Sequence, residues 1–272
     1  MTKHADGSYS SAWRRLTKIV VPPLMYATTT HEWQGQDHIR NVPANSGVIL
    51  AANHLSYADP LPLCLYTHKS GRYPVFLAKS SLFEMKGLGT VMRGTGQLPV
   101  YRGQSDAALV LRDVEQGLRD GACVIFYPEG TATRDPDLWP MVPRTGVARA
   151  ALATGVPVIP VAQWGAQHIL PYGSMRPHLL PRHLVQITAG PPVDLSAFRD
   201  QPLTSQVLRE ATEVIMKDVT GLLAGIRGET PPEQPYHPAI ARRKARQEAR
   251  EREEQAKTGT SAAESSSEAT ST

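Results

Sequence analysis

The chain has 272 residues, 41% hydrophobic and 20% charged, which is close to the mix of an ordinary globular protein. This composition excludes wholesale disorder and a collagen-like fibre, and two cysteines are too few for a disulfide-stapled scaffold. Twenty-nine Lys and Arg against 25 Asp and Glu leave a formal charge of +4, which suits a phosphorylated substrate, a membrane surface or nucleic acid. Cys64 and Cys123 lie in apolar runs, so we expect free buried thiols and a cytoplasmic setting.

Residues 1–40 are predicted to form an amphipathic segment on a membrane surface, which places the protein peripherally on the cytoplasmic face of the cell membrane. The longest uncharged apolar run near the start, residues 19–27, has nine residues and two prolines, whereas a membrane span needs about 20 residues. A helix docked on its own domain is the alternative. The residues expected to reach the lipid are Trp13, Leu16, Ile19 and Val20, with the basic Arg14, Arg15 and Lys18.

Residues 41–228 are predicted to form one α/β domain with a central, largely parallel or mixed sheet flanked by helices. Strand-like apolar runs alternate with helical patterns, and most runs lack polar alternation, as strands buried on both faces do. The predicted strands are residues 48–52, 75–79, 98–101, 123–127, 156–162 and 185–189. The predicted helices begin at Ser105, at Gly146 and after Thr204.

Residues 229–272 are predicted to lie outside the core as a Pro-rich linker, a charged segment and a disordered tail. Residues 230–238 contain four prolines, and residues 258–272 are Ser, Thr, Ala, Gly and Glu only. In residues 241–257 seven basic residues are interleaved with four glutamates and no aromatic residue, which is a poor surface for tracking phosphates. We therefore expect no nucleic-acid partner.

Signatures of several common enzyme classes are missing from the sequence. It contains no Gly-x-Ser-x-Gly elbow, Walker A loop, Gly-x-Gly-x-x-Gly turn or His-Glu-x-x-His helix. The nine histidines are scattered, and neither cysteine has a metal-ligand partner at short spacing. We expect neither a metal nor a cofactor.

The most informative block is Asn53-His54 at the end of the first predicted domain strand, with Asp59 five positions after the histidine. Sites in α/β sheets are built where strands end. A carboxylate at one imidazole nitrogen fixes the tautomer and leaves the other nitrogen free to accept a proton, so the pair can act as a general base. The alternative is that Asp59 only caps a helix opening at Pro60 and His54 is a turn histidine.

Three further blocks follow in chain order. A short strand led by Gly96 ends in Arg102, and an arginine there can bind a phosphate or carboxylate, although a solvated edge charge is the alternative. A buried strand runs into the turn 127–134, which offers backbone amides and a guanidinium to an anion unless it is an ordinary turn. The fourth block, residues 155–162, has two prolines, which predict a strand at a bulge or near an edge.

In this order and spacing, the four blocks resemble the phospholipid/glycerol acyltransferase family, best known from the 1-acyl-glycerol-3-phosphate (lysophosphatidate) acyltransferases. The resemblance covers roughly residues 48–191 and implies a glycerolphosphate acyltransferase-like fold. It implies that His54 and Asp59 are the catalytic pair. The residues it assigns to substrate binding are Asn53, Arg102, Glu129, Gly130, Thr131 and Arg134.

The resemblance implies an acyltransferase of phospholipid biosynthesis. Its acyl donor would be acyl-CoA or acyl carrier protein, and its acceptor the free hydroxyl of lysophosphatidate or a related lysolipid. The chain departs from the family at Ala132, where most members have arginine, and Arg134 and Arg144 are the nearby basic residues. Other acceptors, such as glycerol-3-phosphate or a glycolipid, remain open, as does a thioesterase or lipid esterase that uses the same pair on water.

Overall fold

The computed structural model describes residues 11–100, 104–174, 176–243 and 246–247. Seven strands of this part form one mixed sheet in the order β1-β7-β6-β2-β5-β3-β4, and only the β6–β7 pairing is antiparallel. The predicted α/β fold is therefore confirmed. The strands are β1 (Thr29–Gln34), β2 (Val48–Ala52), β3 (Pro74–Lys79), β4 (Leu98–Val100), β5 (Cys123–Phe126), β6 (Val158–Trp164) and β7 (His183–Ala189).

Helices cover both faces of this sheet. They are α1 (Ser11–Thr28), α2 (Gln36–Arg40), α3 (Pro60–Lys69), α4 (Ser80–Glu84), α5 (Leu88–Gly94), α6 (Gln104–Arg119), α7 (Gly146–Thr154), α8 (Ala166–Ile169) and α9 (Ser205–Arg227). Helix α6 begins one residue before Ser105, so that residue lies inside the helix. Thr204 caps α9 as its predicted start requires, because its hydroxyl accepts a hydrogen bond from the Val207 N–H.

The core lies on both sides of the central strand β2, which is buried in every residue. On one face Ile49 packs with buried residues of α6, α7 and α9, among them Val114 and Ile215. On the other face Leu50 packs with residues of α2 and α3, among them Leu63. Burial on both faces explains why β2 is apolar without alternation.

The sheet begins earlier in the chain than the sequence indicates. Strand β1, with the sequence Thr-Thr-His-Glu-Trp-Gln, pairs in parallel with β7 from Thr29 opposite His183 to Gln34 opposite Thr188. It lies within residues 1–40, which were assigned to a membrane-surface segment. The predicted boundary at residue 41 therefore does not separate that segment from the sheet.

Strand β6 contains Pro160 but does not lie at an edge of the sheet, since it is between β2 and β7. Pro160 is paired with Ala51 of β2, and its carbonyl accepts a hydrogen bond from the Gly190 N–H at 2.9 Å. The β6–β7 ladder begins only at Val161, opposite Ala189. The Pro160 nitrogen carries no hydrogen and faces residues beyond the end of the β6–β7 ladder. No N–H donor is required of β6 at this position.

Helix α1 packs one face on the domain and exposes the other. Trp13 was expected to insert into lipid, but its indole lies against Gly94 of α5, 2.5 Å from where a glycine Cβ would be. Arg14 lies over the Tyr73 ring at 4.4 Å, so it also faces the domain. The exposed apolar residues of the helix are Leu16, Ile19, Val20, Leu24 and Tyr26. No helix among the described residues is long and apolar enough to cross a bilayer.

Candidate active site

The polar residues singled out from the sequence meet at the carboxyl ends of two adjacent parallel strands. Strand β2 ends at Ala52 and leads directly into His54, and β5 ends at Phe126 and leads into the turn that contains Glu129. Loops at this edge of a parallel sheet converge on common sites. His54 and Glu129 are 75 positions apart in sequence, yet the His54 N–H donates to Glu129 Oε1 at 2.8 Å.

The imidazole of His54 is paired with a fully buried carboxylate. His54 Nδ1 lies 2.8 Å from Asp59 Oδ2, and the same oxygen accepts the N–H groups of Leu55 and Ser56 at 2.6 and 2.9 Å. A carboxylate only accepts hydrogen bonds, so Nδ1 carries the proton and Nε2 is the basic nitrogen. Asp59 directly precedes α3 but makes no side-chain cap bond to it. The Asp59 side chain therefore does not cap α3, and it binds the His54 loop instead.

The backbone of His54 is held by the turn that follows β5. Besides the bond to Glu129, the His54 carbonyl accepts the Thr133 N–H at 2.7 Å. The second oxygen of Glu129 accepts the Met141 N–H at 2.9 Å, so the buried carboxyl joins three stretches of chain. Burial raises the pKa of Glu129 to about 8, although the two N–H donors act in the opposite direction. Glu129 therefore orients His54 through its main chain.

Asn53 is also a positioning residue. Its side chain is buried and exchanges two hydrogen bonds with the Gln163 backbone, at 3.0 Å to the carbonyl and 2.8 Å from the N–H. Gln163 Nε2 donates in turn to the Asn53 carbonyl at 2.9 Å. These three hydrogen bonds join the end of β2 to β6. Gln163 was not identified from the sequence, although a glutamine near the end of an apolar strand is the signal that could have found it.

Three of the remaining predicted binding residues, Gly130, Thr131 and Arg134, lie in or near the turn after β5. Gly130 has φ 73° and is exposed, and a Cβ at this position would come within 3.0 Å of the Arg144 Nε atom. Thr131 is half-buried, whereas the Ala132 side chain is fully buried. Arg134 is exposed and donates from Nε to the Tyr172 hydroxyl at 3.2 Å. Arg102 lies outside the described residues.

The Ser56 hydroxyl is engaged in hydrogen bonds, and the thiols of the two cysteines of the chain are buried. The Ser56 hydroxyl donates to the Leu170 carbonyl at 2.6 Å and accepts the Ala58 N–H at 3.0 Å. Cys64 and Cys123 are free thiols, and burial raises the pKa of each to about 12. A neutral thiol is a weak nucleophile, so neither cysteine is activated for nucleophilic attack in this arrangement.

An apolar cavity of about 170 Å³ is lined in part by Tyr57 and Ala58 of the loop that follows His54. It is bounded by Leu24 and Met25 of α1, Leu61 of α3, and Ile169 and Leu170 at the end of α8. The Tyr57 ring centroid is 6.4 Å from that of His54. In the described part of the chain, no group of three or more His, Cys, Asp or Glu side chains is placed to hold a metal ion.

Comparison with known proteins identifies the relatives of this chain. Residues 34–164 match the family model described as Acyltransferase, so the resemblance seen in the sequence is confirmed. A chloroplastic 1-acyl-sn-glycerol-3-phosphate acyltransferase of Brassica napus is 31% identical over 139 residues, which cover 50% of this chain and 38% of the relative. An enzyme of the same name from Borreliella burgdorferi is 32% identical over 47% of this chain and 50% of its own.

A solved structure shares the fold over more of the chain. The 1-acyl-sn-glycerophosphate acyltransferase PlsC of Thermotoga maritima aligns with a TM-score of 0.55 and 26% identity, covering 78% of this chain and 80% of that chain. The chain spans half or less of the length of the Brassica and Borreliella relatives.

Proposed function

We propose that the chain transfers a fatty acyl group from a thioester to the free hydroxyl of 1-acyl-glycerol-3-phosphate or a related lysolipid, because residues 34–164 match the model of the Acyltransferase domain. The donor is acyl-CoA or acyl carrier protein, and no metal or cofactor takes part. The observation that carries the proposal is the 2.8 Å contact between His54 and a buried Asp59 within this domain. The names of the relatives support 1-acyl-glycerol-3-phosphate as the acceptor.

The proposed reaction has one proton route. His54 Nε2 accepts the proton of the acceptor hydroxyl as its oxygen bonds to the thioester carbonyl carbon. The negative charge of Asp59 stabilises the imidazolium through Nδ1. The tetrahedral intermediate then collapses, the carbon–sulfur bond breaks, and the departing thiolate takes the proton from Nε2. No acyl-enzyme forms, since the nearby Ser56 hydroxyl is committed to Leu170.

Product analysis tests the reaction as a whole. The purified chain is incubated with acyl-CoA or acylated carrier protein and a panel of lysolipids, and the products are identified by mass spectrometry. We expect phosphatidate from lysophosphatidate, and no product with the His54→Ala variant. Release of free fatty acid at the same rate with and without an acceptor would instead indicate a thioesterase.

Arg134 is proposed to bind the acceptor phosphate, together with Arg102. A guanidinium that binds a phosphate makes charge-assisted hydrogen bonds, each worth about 1.5–3 kcal/mol. Arg134→Ala is expected to raise the KM for lysophosphatidate by about tenfold or more. The KM for a monoacylglycerol, which has no phosphate, should not change. Initial rates at varied acceptor concentration measure both constants.

The control for this variant is Arg199→Ala. It removes the same positive charge at the opposite ends of the strands from His54. Residues beyond β7 lie there, because β7 runs antiparallel to β6 and Val193 bonds to the first residue of β6. Arg199 is exposed. If Arg199→Ala raises the acceptor KM as much as Arg134→Ala, the effect is one of overall charge and the assignment of Arg134 is wrong.

The apolar cavity that Tyr57 lines is proposed to hold an acyl chain of one of the two substrates, since the Tyr57 ring centroid is 6.4 Å from that of His54. Leu61→Trp should fill part of the cavity, and we expect kcat/KM to fall several-fold for 16-carbon chains and little for 8-carbon chains, because burial is worth about 0.8 kcal/mol per CH₂. Varying the chain of donor and acceptor in turn identifies the occupant. Leu184→Trp on β7 is the control, as Leu184 is exposed and does not line the cavity. Equal losses of kcat/KM at all chain lengths would mean that the cavity does not hold the acyl chain.

The exposed apolar stripe of α1 is proposed to bind the surface of the membrane that holds the acceptor. Leu16, Ile19 and Val20 lie on one helix face with exposed fractions of 45%, 69% and 51%. The adjacent Arg15 and Lys18 each add about 1 kcal/mol at an anionic surface. The Ile19→Ser/Val20→Ser double variant should therefore sediment less with anionic vesicles, and added salt should weaken wild-type binding. Unchanged sedimentation of the double variant would mean that another surface contacts the lipid.

A further inference from the structure

Tyr127 is an aromatic residue at the site that the proposed reaction does not use. It directly follows β5, and its ring stacks on the His54 imidazole with ring centroids 4.2 Å apart and planes inclined by 18°. Phe76 of β3 lies on the Tyr127 ring in turn, with centroids 6.4 Å apart and planes 21° apart. His54 is thus the outer ring of three nearly parallel rings.

The stack and the carboxylate constrain different motions of the imidazole. The bond to Asp59 fixes the position of Nδ1 but permits the ring to tilt about the axis through that bond. A flat aromatic face at 4.2 Å opposes this tilt, and so determines where Nε2 points. Tyr57 approaches only edge-on at 6.4 Å and is 51% exposed, so it offers a weaker constraint.

We propose that Tyr127 is a positioning residue for acyl transfer, whose ring face fixes the plane of His54 and directs Nε2 at the acceptor hydroxyl. This inference rests on the function proposed above. The face of an aromatic ring also attracts a cation, so the contact strengthens when His54 becomes an imidazolium in the reaction. Misplacement of a catalytic group by about 1 Å can cost about 100-fold in rate.

The ring, and not the hydroxyl, carries this role. The Tyr127 hydroxyl is buried and interacts with the Gln163 side chain, and it does not contact the imidazole face on which the ring stacks. Burial raises the pKa of Tyr127 well above its ordinary value, so the phenol stays neutral and is a poor proton donor. Tyr127→Phe keeps the stack and removes only the hydroxyl, which should leave kcat unchanged within about threefold and lower the Tm only slightly, since the net contribution of one neutral hydrogen bond to stability is small.

The test compares variants with and without the ring. Tyr127→Leu is expected to lower kcat by about 10- to 100-fold, with the KM of donor and acceptor unchanged. Tyr127→Met has a similar side-chain volume but a more flexible side chain, and it serves if the leucine variant does not fold. Phe76→Leu is the matched control, since it removes a ring from the same stack that is not in contact with His54. Comparable losses of kcat in Phe76→Leu and Tyr127→Leu would overturn the proposal.

A second measurement does not depend on turnover. The His54 Nδ1 proton, which is bonded to Asp59, should give a protected downfield NMR signal in the wild type that persists in Tyr127→Phe and broadens in Tyr127→Leu or Tyr127→Met. A sharp signal in the ringless variants, or a kcat loss above tenfold in Tyr127→Phe, would contradict the role of the ring. If His54→Ala keeps full activity, the proposed function fails, while the NMR comparison still tests the stack.

Discussion

Replacement of His54 by alanine is expected to lower kcat by about 10²- to 10⁴-fold, because a positioned general base typically contributes that factor. The fold should persist. Both contacts that the turn 129–133 makes with His54, from Glu129 and Thr133, use main-chain atoms that alanine retains. Turnover with acyl-CoA and lysophosphatidate measures the effect, and circular dichroism verifies folding.

His38→Ala is the control for that experiment. His38 lies on α2, which follows the end of β1. Because β1 runs antiparallel to β2, His38 is at the opposite end of the strands from His54. Its replacement should leave turnover unchanged. A folded His54→Ala variant with near wild-type kcat would exclude the proposed general base.

Asp59→Asn is expected to lower kcat by about 10³- to 10⁴-fold, as loss of the orienting carboxylate does in other His–Asp pairs. If the amide oxygen replaces Oδ2, the imidazolium loses a negative partner, and if the amide nitrogen replaces it, His54 is held in the wrong tautomer. The variant should also have a lower Tm, because Oδ2 accepts three N–H donors from His54, Leu55 and Ser56. Steady-state kinetics and thermal unfolding measure the two effects.

Asp194→Asn separates a catalytic role from a structural one. Asp194 also accepts a backbone hydrogen bond, from the Ser196 N–H at 2.9 Å, but it is exposed and lies beyond β7, away from His54. This variant should keep full turnover and a nearly unchanged Tm. Wild-type turnover in Asp59→Asn would mean that the carboxylate serves only to hold the loop 53–59.

The features that the sequence predicts correctly depend on short stretches of chain. Buried strands such as β2 and β5 are apolar runs, and such runs indicate burial on both faces without knowledge of their partners. His54 and Asp59 are five residues apart, so a single loop brings them together. Because one tight loop after β2 contains both residues, the pair can be identified from the sequence alone.

Strand β1 illustrates what a local pattern does not contain. Its residues alternate between buried or half-buried and exposed and include His31 and Glu32, so they lack the apolar run that marks the central strands. Its partner β7 begins about 150 residues later, with Thr29 opposite His183. An edge strand of mixed composition is specified by the partner it meets, and that meeting is a property of the folded chain.

The sequence by itself determined the α/β class, six of the seven described strands and the His54–Asp59 pair, because hydrophobic runs and short spacings act within one element or one loop. Only the tertiary structure decided that Asn53 and Glu129 hold the histidine loop, through contacts to Gln163 and the His54 backbone across 110 and 75 positions. The tertiary structure also decided that Trp13 packs against Gly94 of α5. An amphipathic pattern defines two faces of a helix, but the element that packs against it decides which face is covered.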